Sequence, residues 1–400
     1  TESCTDTSEM FMNCEKINNL NLNNFKTNKV KIMNDMFSGC KNLVSINGLD
    51  KFDTSLVSDI SRMFKDCAKL TTIRFGENFK LAEAETLSEM FSGCSAITDL
   101  DLSNFNTRFV KTMDHMFYDC KNLRNIRINK ELFVTKNVEE MNDMFWGCSA
   151  LTTFDFSGFV TYSVKNMDRM FYSCSSITEI DISSFDTTDL VLMNQMFHNC
   201  QNLKKITFSD NFETEYVTDM YSVFGNCPNL ESLDLSSFQL TRVQNLQSLF
   251  EGCTNLREIK FNKDTNTEDV TTMEKMFSGC SQLTSLDLSS FDTSSVIDMT
   301  EMFKGCSTLT NLDLKSFDTS RVTSMSNMFS GCTNLEKINL DNKKFITGEK
   351  QATTLERMFF DCKKLTSLDL SGFVDSMVTM TISMFENCES FTYLNMRYFK

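Results

Sequence analysis

The chain has 400 residues, of which 41% are hydrophobic, with 37 phenylalanines, 26 methionines and only one proline. This apolar content suffices for a large core and argues against a disordered chain. The formal net charge of −15 argues against nucleic acid as a partner, because phosphates attract basic surfaces, and against anionic membranes. No apolar stretch is long enough to insert into a bilayer.

Fifteen of the 16 cysteines recur at intervals of 26 to 30 residues. Such a fixed period predicts a tandem repeat in which one unit accompanies each cysteine. We therefore expect residues 1–400 to form a single continuous repeat solenoid that belongs to a longer array. The units are called turns 1 to 15, and positions are counted from the cysteine of each turn. These cysteines are Cys14, Cys40, Cys67, Cys94, Cys120, Cys148, Cys174, Cys200, Cys227, Cys253, Cys280, Cys306, Cys332, Cys362 and Cys388.

The segment before each cysteine predicts a short helix. Val296, Met299 and Met302 recur at steps of three, which places one apolar stripe on a helix. Residues 293–295, Thr-Ser-Ser, would supply an N-cap hydroxyl at its start. At position −1 the chain has Gly in seven turns, Asn in four, Asp in three and Ser in one, as at Gly305. These residues tolerate the left-handed conformation that ends a helix.

The segment after each cysteine predicts a strand. Leu283, Leu286 and Leu288 occupy positions +3, +6 and +8, and the last two alternate with polar residues as in a strand with one buried face. The predicted fold is an α/β repeat solenoid of the leucine-rich-repeat type, with one parallel strand and one short helix in each turn of about 26 residues. At strand spacing, about fifteen such turns give a curved sheet about 70 Å long.

One turn, MFKGCSTLTNLDLKSFDTSRVTSM at residues 302–325, resembles the 26-residue bacterial surface protein repeat, the BspA-like branch of the leucine-rich repeats. Its M-F-x-G-C, L-x-x-L-D-L-S and F-D-T-S-x-V elements carry the resemblance, which extends over residues 4–400. The resemblance implies an extracellular or cell-surface protein associated with adhesion. Val223 and Leu249 depart from the pattern where they replace the methionine at −4.

A longer period is superimposed on the turns. From Cys67 to Cys200 and from Cys120 to Cys253 the interval is 133 residues, and LRNIRINK at 123–130 resembles LREIKFNK at 256–263. These matches predict a super-repeat of five turns. Duplication alone explains it; the alternative is that the protruding turns form regularly spaced contacts.

No catalytic constellation is present in the sequence. The two histidines, His115 and His198, lie more than three turns apart, and neither has a suitable partner nearby in sequence. Nucleophile-elbow, phosphate-loop, H-E-x-x-H and paired C-x-x-C motifs are lacking. We expect a protein that is not an enzyme, with no catalytic residues and no cofactor.

The cysteine column allows three interpretations. Zinc normally requires four converging ligands, whereas stacked cysteines form a line. Disulfides between adjacent turns are geometrically possible, but fifteen is an odd number and Cys4 falls in the valine column of turn 1. The favoured interpretation is a structural ladder of buried free thiols.

Position +7 lies between two buried strand positions and must face outward on the sheet. Seven aspartates in this column would repel one another at strand spacing, so some compensation is expected. Hydrogen bonds from neighbouring groups are one source; calcium, for instance at Asp287 and Asp313, is a weaker alternative. Arg74 also lies in the column. The predicted ligand contacts on this face are Asp101, Arg127, Asp155, Asp181, Asp234, Lys260, Asp287, Asp313 and Asp369.

Two hypotheses for function remain open. The first is a non-enzymatic surface protein that mediates adhesion by binding a protein or glycan, on a host or neighbouring cell, through its sheet face. The second is a structural subunit of an extracellular fibre, in which copies meet head to tail through solenoid ends and the periodic protruding loops.

Overall fold

The computed structural model describes residues 2–348 and 353–397. It divides into two compact units, Thr1–Phe212 and Glu213–Lys400, and each is a parallel-strand solenoid. The first unit contains the cysteines of turns 1 to 8 and the second those of turns 9 to 15. The predicted parallel-strand repeat is therefore observed within each unit.

Twelve short strands of the described residues follow cysteines and pair in parallel with a strand of the adjacent turn, and two more, in turns 14 and 15, precede their cysteines and pair with each other. In the first unit the pairs are β1 (Asn19–Asn21) with β2 (Ser45–Asn47), β3 (Asp99–Asp101) with β4 (Asn125–Arg127), and β5 (Glu179–Ile182) with β6 (Lys205–Phe208). In the second unit the strands are β7 (Ser232–Leu235), β8 (Glu258–Phe261), β9 (Asn311–Leu314), β10 (Lys337–Leu340), β11 (Thr353–Thr354), β12 (Ser367–Asp369), β13 (Val378–Met380) and β14 (Tyr393–Asn395). Strand β7 pairs with β8, β9 with β10, β12 with β14, and β11 with β13.

The strand register places residues at the same offset from the cysteine opposite each other in adjacent turns. Asp101 lies opposite Arg127, and Asp234 lies opposite Lys260, each pair at position +7 of adjacent turns. A second series of parallel bridges joins position −8 of successive turns, as from Ile32 to Asp59. Equal offsets from the cysteine therefore become columns on the surface of each unit.

The predicted helix is wrong: within the described residues the structure contains no α-helix, and its only helical segments are 3-10 helices at Leu49–Lys51 and Asp375–Met377. Before each cysteine, alternate backbone N–H groups leave the turn. Asp35 N–H donates to Ser61 O at 2.9 Å and Phe37 N–H to Met63 O at 2.9 Å. An α-helix would direct every one of these donors to the carbonyl four residues back.

Two left-handed residues in each turn explain why the helix does not form. Positions −5 and −1 have positive φ in all fifteen turns, as at Asp35 (55°) and Gly39 (73°). A left-handed residue inside a right-handed helix breaks its hydrogen-bond series. The predicted left-handed conformation at −1 is confirmed, although it does not end a helix. The spacing of apolar residues by three and four is produced instead by consecutive tight turns.

Phenylalanine at −3 forms the centre of each core. Phe37 stacks on Phe64 with ring centroids 5.6 Å apart, and Phe91 stacks on Phe117 at 5.8 Å. These rings are at most 1% exposed. Burial of each such side chain contributes about 1.5–3 kcal/mol, so the column is a main source of stability in both units.

The threonine predicted as an N-cap has another role. Thr293 is fully buried, donates its hydroxyl to Asp318 O at 2.9 Å and accepts the Asp318 N–H at 2.7 Å. Thr267 makes the same pair of bonds to Asp292 in the adjacent turn. A hydroxyl thus satisfies one N–H and one carbonyl group of the next turn.

Candidate binding face and the buried cysteine column

The sheet face is set by the two-residue period of the strands. In β5, β7 and β9 the residues alternate between exposed and buried. Positions +5 and +7 therefore face solvent while +6 and +8 enter the core. All nine predicted ligand contacts are exposed. Four of them, from Asp101 to Asp181, lie in the first unit, and five, from Asp234 to Asp369, lie in the second.

Backbone hydrogen bonds compensate the aspartates of this face. In all seven, one carboxylate oxygen accepts the N–H of the residue two positions later, as from Ser183 to Asp181 at 3.0 Å. The bond closes a tight local turn directly after position +7. The other six donors are Ser103, Ser157, Ser236, Ser289, Lys315 and Ser371.

Cations from an adjacent turn reach three of these carboxylates, from the preceding turn at Asp155 and from the following turn at Asp234 and Asp101. The Lys130 ammonium lies 2.6 Å from Asp155, Lys260 lies 2.9 Å from Asp234, and Arg127 lies 3.4 Å from Asp101. The hydrogen bond from Lys130, supported by Ser157, lowers the pKa of Asp155 to about 2. At neutral pH this carboxylate is ionised and engaged with groups of the protein itself.

Among the described residues, no set of converging side-chain ligands supports the weaker alternative, calcium binding. Over residues 2–348 and 353–397 no group of three or more His, Cys, Asp or Glu side chains could hold a metal ion. Asp287 and Asp313 each accept the N–H of their own turn, from Ser289 at 3.0 Å and Lys315 at 3.2 Å. Calcium at these two residues stays a prediction.

Two concavities open on the sheet faces. One of about 620 Å³ in the first unit is lined by Thr71–Arg74, Thr98–Asp101 and Asn125–Arg127, in turns 3 to 5. One of about 1000 Å³ in the second unit is lined by Ser236, residues 258–264 and a segment from Ser285 to Ser290, in turns 9 to 11. Both are open depressions lined by polar and apolar groups together, and their openness suits an extended partner better than an enclosed small molecule.

The cysteine column consists of free thiols, with a hydrogen bond that sequence reasoning did not anticipate. Cys67 donates its S–H to Phe37 O in the preceding turn at 3.1 Å, and the same carbonyl accepts the Cys40 N–H at 3.1 Å. Cys40 and eleven further cysteines of the column donate to the phenylalanine carbonyl in the same way. Cys14 and Cys388 are only partly buried.

Burial makes these thiols poor nucleophiles. Desolvation raises the pKa of Cys174 to about 12 and that of Cys388 to about 11. The thiolate is the reactive form, so at neutral pH these side chains are inert. The geometry favours packing and hydrogen bonding over redox or metal chemistry at these positions.

Two features outside the sheet face were missed because the residues at −2 and −5 were not compared between turns. At −2, four rings in turns 5 to 8 form one stack: Tyr118 on Trp146 (4.5 Å), Trp146 on Tyr172 (5.5 Å) and Tyr172 on His198 (4.9 Å). Reading the −2 column along the sequence finds it directly. Trp146 is the only tryptophan of the chain.

At −5, opposite charges lie in adjacent turns of the first unit, as at Asp143 and Arg169. The carboxylate of Asp143 is 2% exposed and takes two bonds from Arg169, at 2.7 and 2.9 Å. His115 lies 3.4 Å from Asp143 and 3.4 Å from Asp114. The hydrogen bond to Asp114 raises the pKa of His115, with Asp143 and Glu89 adding to the effect.

Stacked turns of one parallel strand, a buried cysteine and an open polar face define a repeat solenoid of the leucine-rich-repeat type. The chain belongs to the family described as Mycoplasma protein of unknown function, DUF285, whose model matches residues 1–98, 85–207, 175–267, 257–349 and 348–398. No curated protein resembles it in sequence.

Solved structures resemble the fold. A leucine-rich repeat protein from Bacteroides ovatus is similar with a TM-score of 0.58 and 20% identity, over 96% of this chain and 86% of that one. A leucine rich cell surface protein from Faecalibacterium prausnitzii has a TM-score of 0.43 and 18% identity, over 84% of this chain and 82% of that one. None of the described residues forms a helix of the length and apolarity needed to cross a membrane.

Proposed function

We propose that this chain is a non-enzymatic binding protein of the BspA-like type, displayed outside the cell, that attaches to a protein or glycan partner through its sheet face. The observation that carries the proposal is the column of exposed +7 side chains, held in fixed positions by hydrogen bonds of their own turns. A rigid, polar, repeated surface can contact an extended partner at many points without reorganising.

Two further features support binding over catalysis. Among the described residues, the histidines are engaged in ion contacts or ring stacking, and the buried cysteines donate their thiols to backbone carbonyls. The resemblance of residues 302–325 to the bacterial surface protein repeat supports both the extracellular location and the role in adhesion.

The experiment uses the full chain and arrays of extracellular-matrix proteins and glycans. A charge-reversal variant on the sheet face, Asp181→Lys with Asp313→Lys, is compared with Asp189→Lys and Glu268→Lys, which are exposed positions outside that face. We expect the first variant to lose at least about tenfold in affinity for any partner found, and the second to bind normally.

Equal binding by the two variants would contradict the role of the sheet face. Negative-stain microscopy of the same preparation tests the fibre hypothesis. Dispersed particles that bind the partner support attachment, whereas filaments that bind nothing would contradict it.

A further inference from the structure

We infer that turns 3 to 5 of the first unit bind an anionic glycan through the guanidinium groups of Arg74 and Arg127. The inference rests on the proposed function in using the sheet face, and it adds the chemical class of the partner and the residues that select it.

The two arginines flank one aspartate in the same column. Arg74, Asp101 and Arg127 occupy position +7 of turns 3, 4 and 5, and all three line the concavity of about 620 Å³. At strand spacing, two turns separate the arginine backbones by about 10 Å. All three side chains are exposed to solvent. The depression therefore presents two cationic forks to anything lying along the solenoid axis.

These guanidinium groups are largely unsatisfied by the protein. In the part of the chain that the structure describes, Arg74 makes no hydrogen bond or ion pair. Arg127 has a single long contact of 3.4 Å to Asp101, and its side chain is 77% exposed. Guanidinium forks match carboxylate and sulfate oxygens in pairs, which makes them effective receptors for oxyanions.

The acidic groups of the concavity, in contrast, already have donors. Asp99 accepts hydrogen bonds from Asn125 at 2.7 Å and from Thr98 at 2.6 Å. Asp101 accepts the N–H of Ser103 at 3.1 Å. An incoming anion consequently finds two available cations, while the neighbouring carboxylates are occupied by the protein's own donors.

The remaining lining favours a glycan over an acidic peptide. Between the charged groups lie hydroxyl and amide side chains, as at Thr72 and Asn125, whereas Leu100 is only 3% exposed and belongs to the core. Peptide partners are anchored mainly by side chains seated in desolvated pockets, whereas this concavity is open and is lined by polar groups together with the partly exposed Ile73 and Ile126. A hydroxyl-rich polymer bearing carboxylates or sulfates fits both components of the surface.

The super-repeat provides a matched control within the chain. Arg257 and Lys260 of turn 10 correspond to Arg124 and Arg127 of turn 5. Lys260 is already paired with Asp234 at 2.9 Å, and Asp287 follows it on the face. A double substitution there removes the same charge as one at Arg74 and Arg127, from a site that we do not expect to bind anions.

The test measures binding of the full chain to immobilised hyaluronan, which carries carboxylates, and heparin, which also carries sulfates. Dextran and poly-L-glutamate serve as neutral and peptidic comparisons. We expect binding to at least one acidic glycan, weakened by added salt, and a loss of about tenfold or more for Arg74→Ser with Arg127→Ser. The matched variant, Arg257→Ser with Lys260→Ser, should change the affinity less than about twofold. Hyaluronan and heparin together distinguish carboxylate from sulfate as the anchor.

Three outcomes would overturn the inference: no binding to either acidic glycan, equal loss in both double variants, or equal binding to poly-L-glutamate. If the sheet-face variants lose an arrayed partner while neither acidic glycan binds, only the ligand class assigned here fails. If acidic glycans bind through Arg74 and Arg127 but other sheet-face substitutions have no effect, the wider proposal for the face fails.

Discussion

Turns 5 and 10 are counterparts in the super-repeat. They share a frame, by which we mean the buried phenylalanine at −3 and the buried cysteine, but they differ in their exposed columns. Each places a phenylalanine at −3 in the ring stack, Phe117 or Phe250, and buries its cysteine. At −5, however, turn 5 has His115 where turn 10 has Ser248. The repeated frame fixes where side chains point, and the exposed columns are free to differ between otherwise equivalent turns.

The sheet face shows the same divergence. Arg127 is 3.4 Å from Asp101 whereas Lys260 is 2.9 Å from Asp234. A shorter contact leaves Lys260 less available to a ligand, although both pairs have the same register. Binding capacity can therefore be confined to one copy without any change in fold.

The largest effect should come from the shared frame. Phe117→Ala and Phe250→Ala should each lower the free energy of unfolding of the affected unit by about 3–5 kcal/mol, because each opens a cavity in a buried ring stack. Urea denaturation of the full chain, with probes in each unit, measures this loss. A cost below 1 kcal/mol at either position, or a large difference between them, would contradict the equivalence of the two frames.

The left-handed position at −1 should have the next largest effect. Turn 5 has Asp119 there (φ 57°) and turn 10 has Gly252 (φ 74°). Gly252→Asp copies turn 5, whereas Gly252→Val introduces a β-branched residue at positive φ. We expect the valine variant to be less stable than the aspartate variant by about 1–2 kcal/mol in denaturant unfolding. Equal stability of the two variants would contradict our explanation that left-handed residues in each turn prevent the helix.

His115 should give the first unit a pH dependence for which Ser248 provides no counterpart. Its raised pKa means that the folded state holds the proton more tightly than the unfolded state. The stabilisation is fully present below about pH 6.5, the unfolded pKa, and is lost as pH rises through the folded pKa. The groups facing the imidazole are Asp114, Asp143 and Glu89, with the ring of Tyr118 alongside.

Thermal unfolding of the first unit at pH 5.5 and pH 8 measures this term, which should be at most about 1 kcal/mol for a partly exposed group. His115→Ser, which copies turn 10, should remove that part of the pH dependence. If the thermal unfolding midpoint of His115→Ser shifts with pH as much as that of the wild type, protonation of His115 does not contribute to the stability of the first unit.

The smallest effect should come from the charge of the sheet-face aspartates. Asp101→Asn and Asp234→Asn retain an oxygen for the N–H of Ser103 or Ser236 and lose only the attraction to the next turn. We expect losses of about 0–1 kcal/mol, larger at Asp234 because its ion pair is shorter. Unfolding in 1 M salt should reduce the difference; persistence of the full difference would indicate a non-electrostatic cause.

Period and strand chemistry were sufficient to predict the repeat, the parallel pairing and the outward position of Asp101 and its counterparts. The helix could not be predicted correctly because apolar steps of three and four satisfy both a helix and a series of tight turns. Non-glycine residues at −5, such as Asp35 and His115, carry no obvious preference for positive φ, so the signal against a helix was weak.

The site was only partly predictable for a related reason. The column at +7 followed from the strand period, but which of its charges are already paired depends on distances between turns. Arg74 stands in the same column as Lys260, and the sequence does not reveal that Lys260 has a carboxylate partner at 2.9 Å while Arg74 has none described. The hydroxyl of Thr293 was likewise assigned to its own turn, whereas it bonds the next.

Amide hydrogen exchange in the presence of saturating hyaluronan or heparin would locate the bound glycan on the solenoid. We expect slower exchange in residues 71–75, 98–103 and 124–128, which form the concavity of turns 3 to 5, and unchanged exchange in the counterpart residues 231–236 and 257–261. Equal protection of both regions, or protection confined to the second, would contradict selective binding through Arg74 and Arg127.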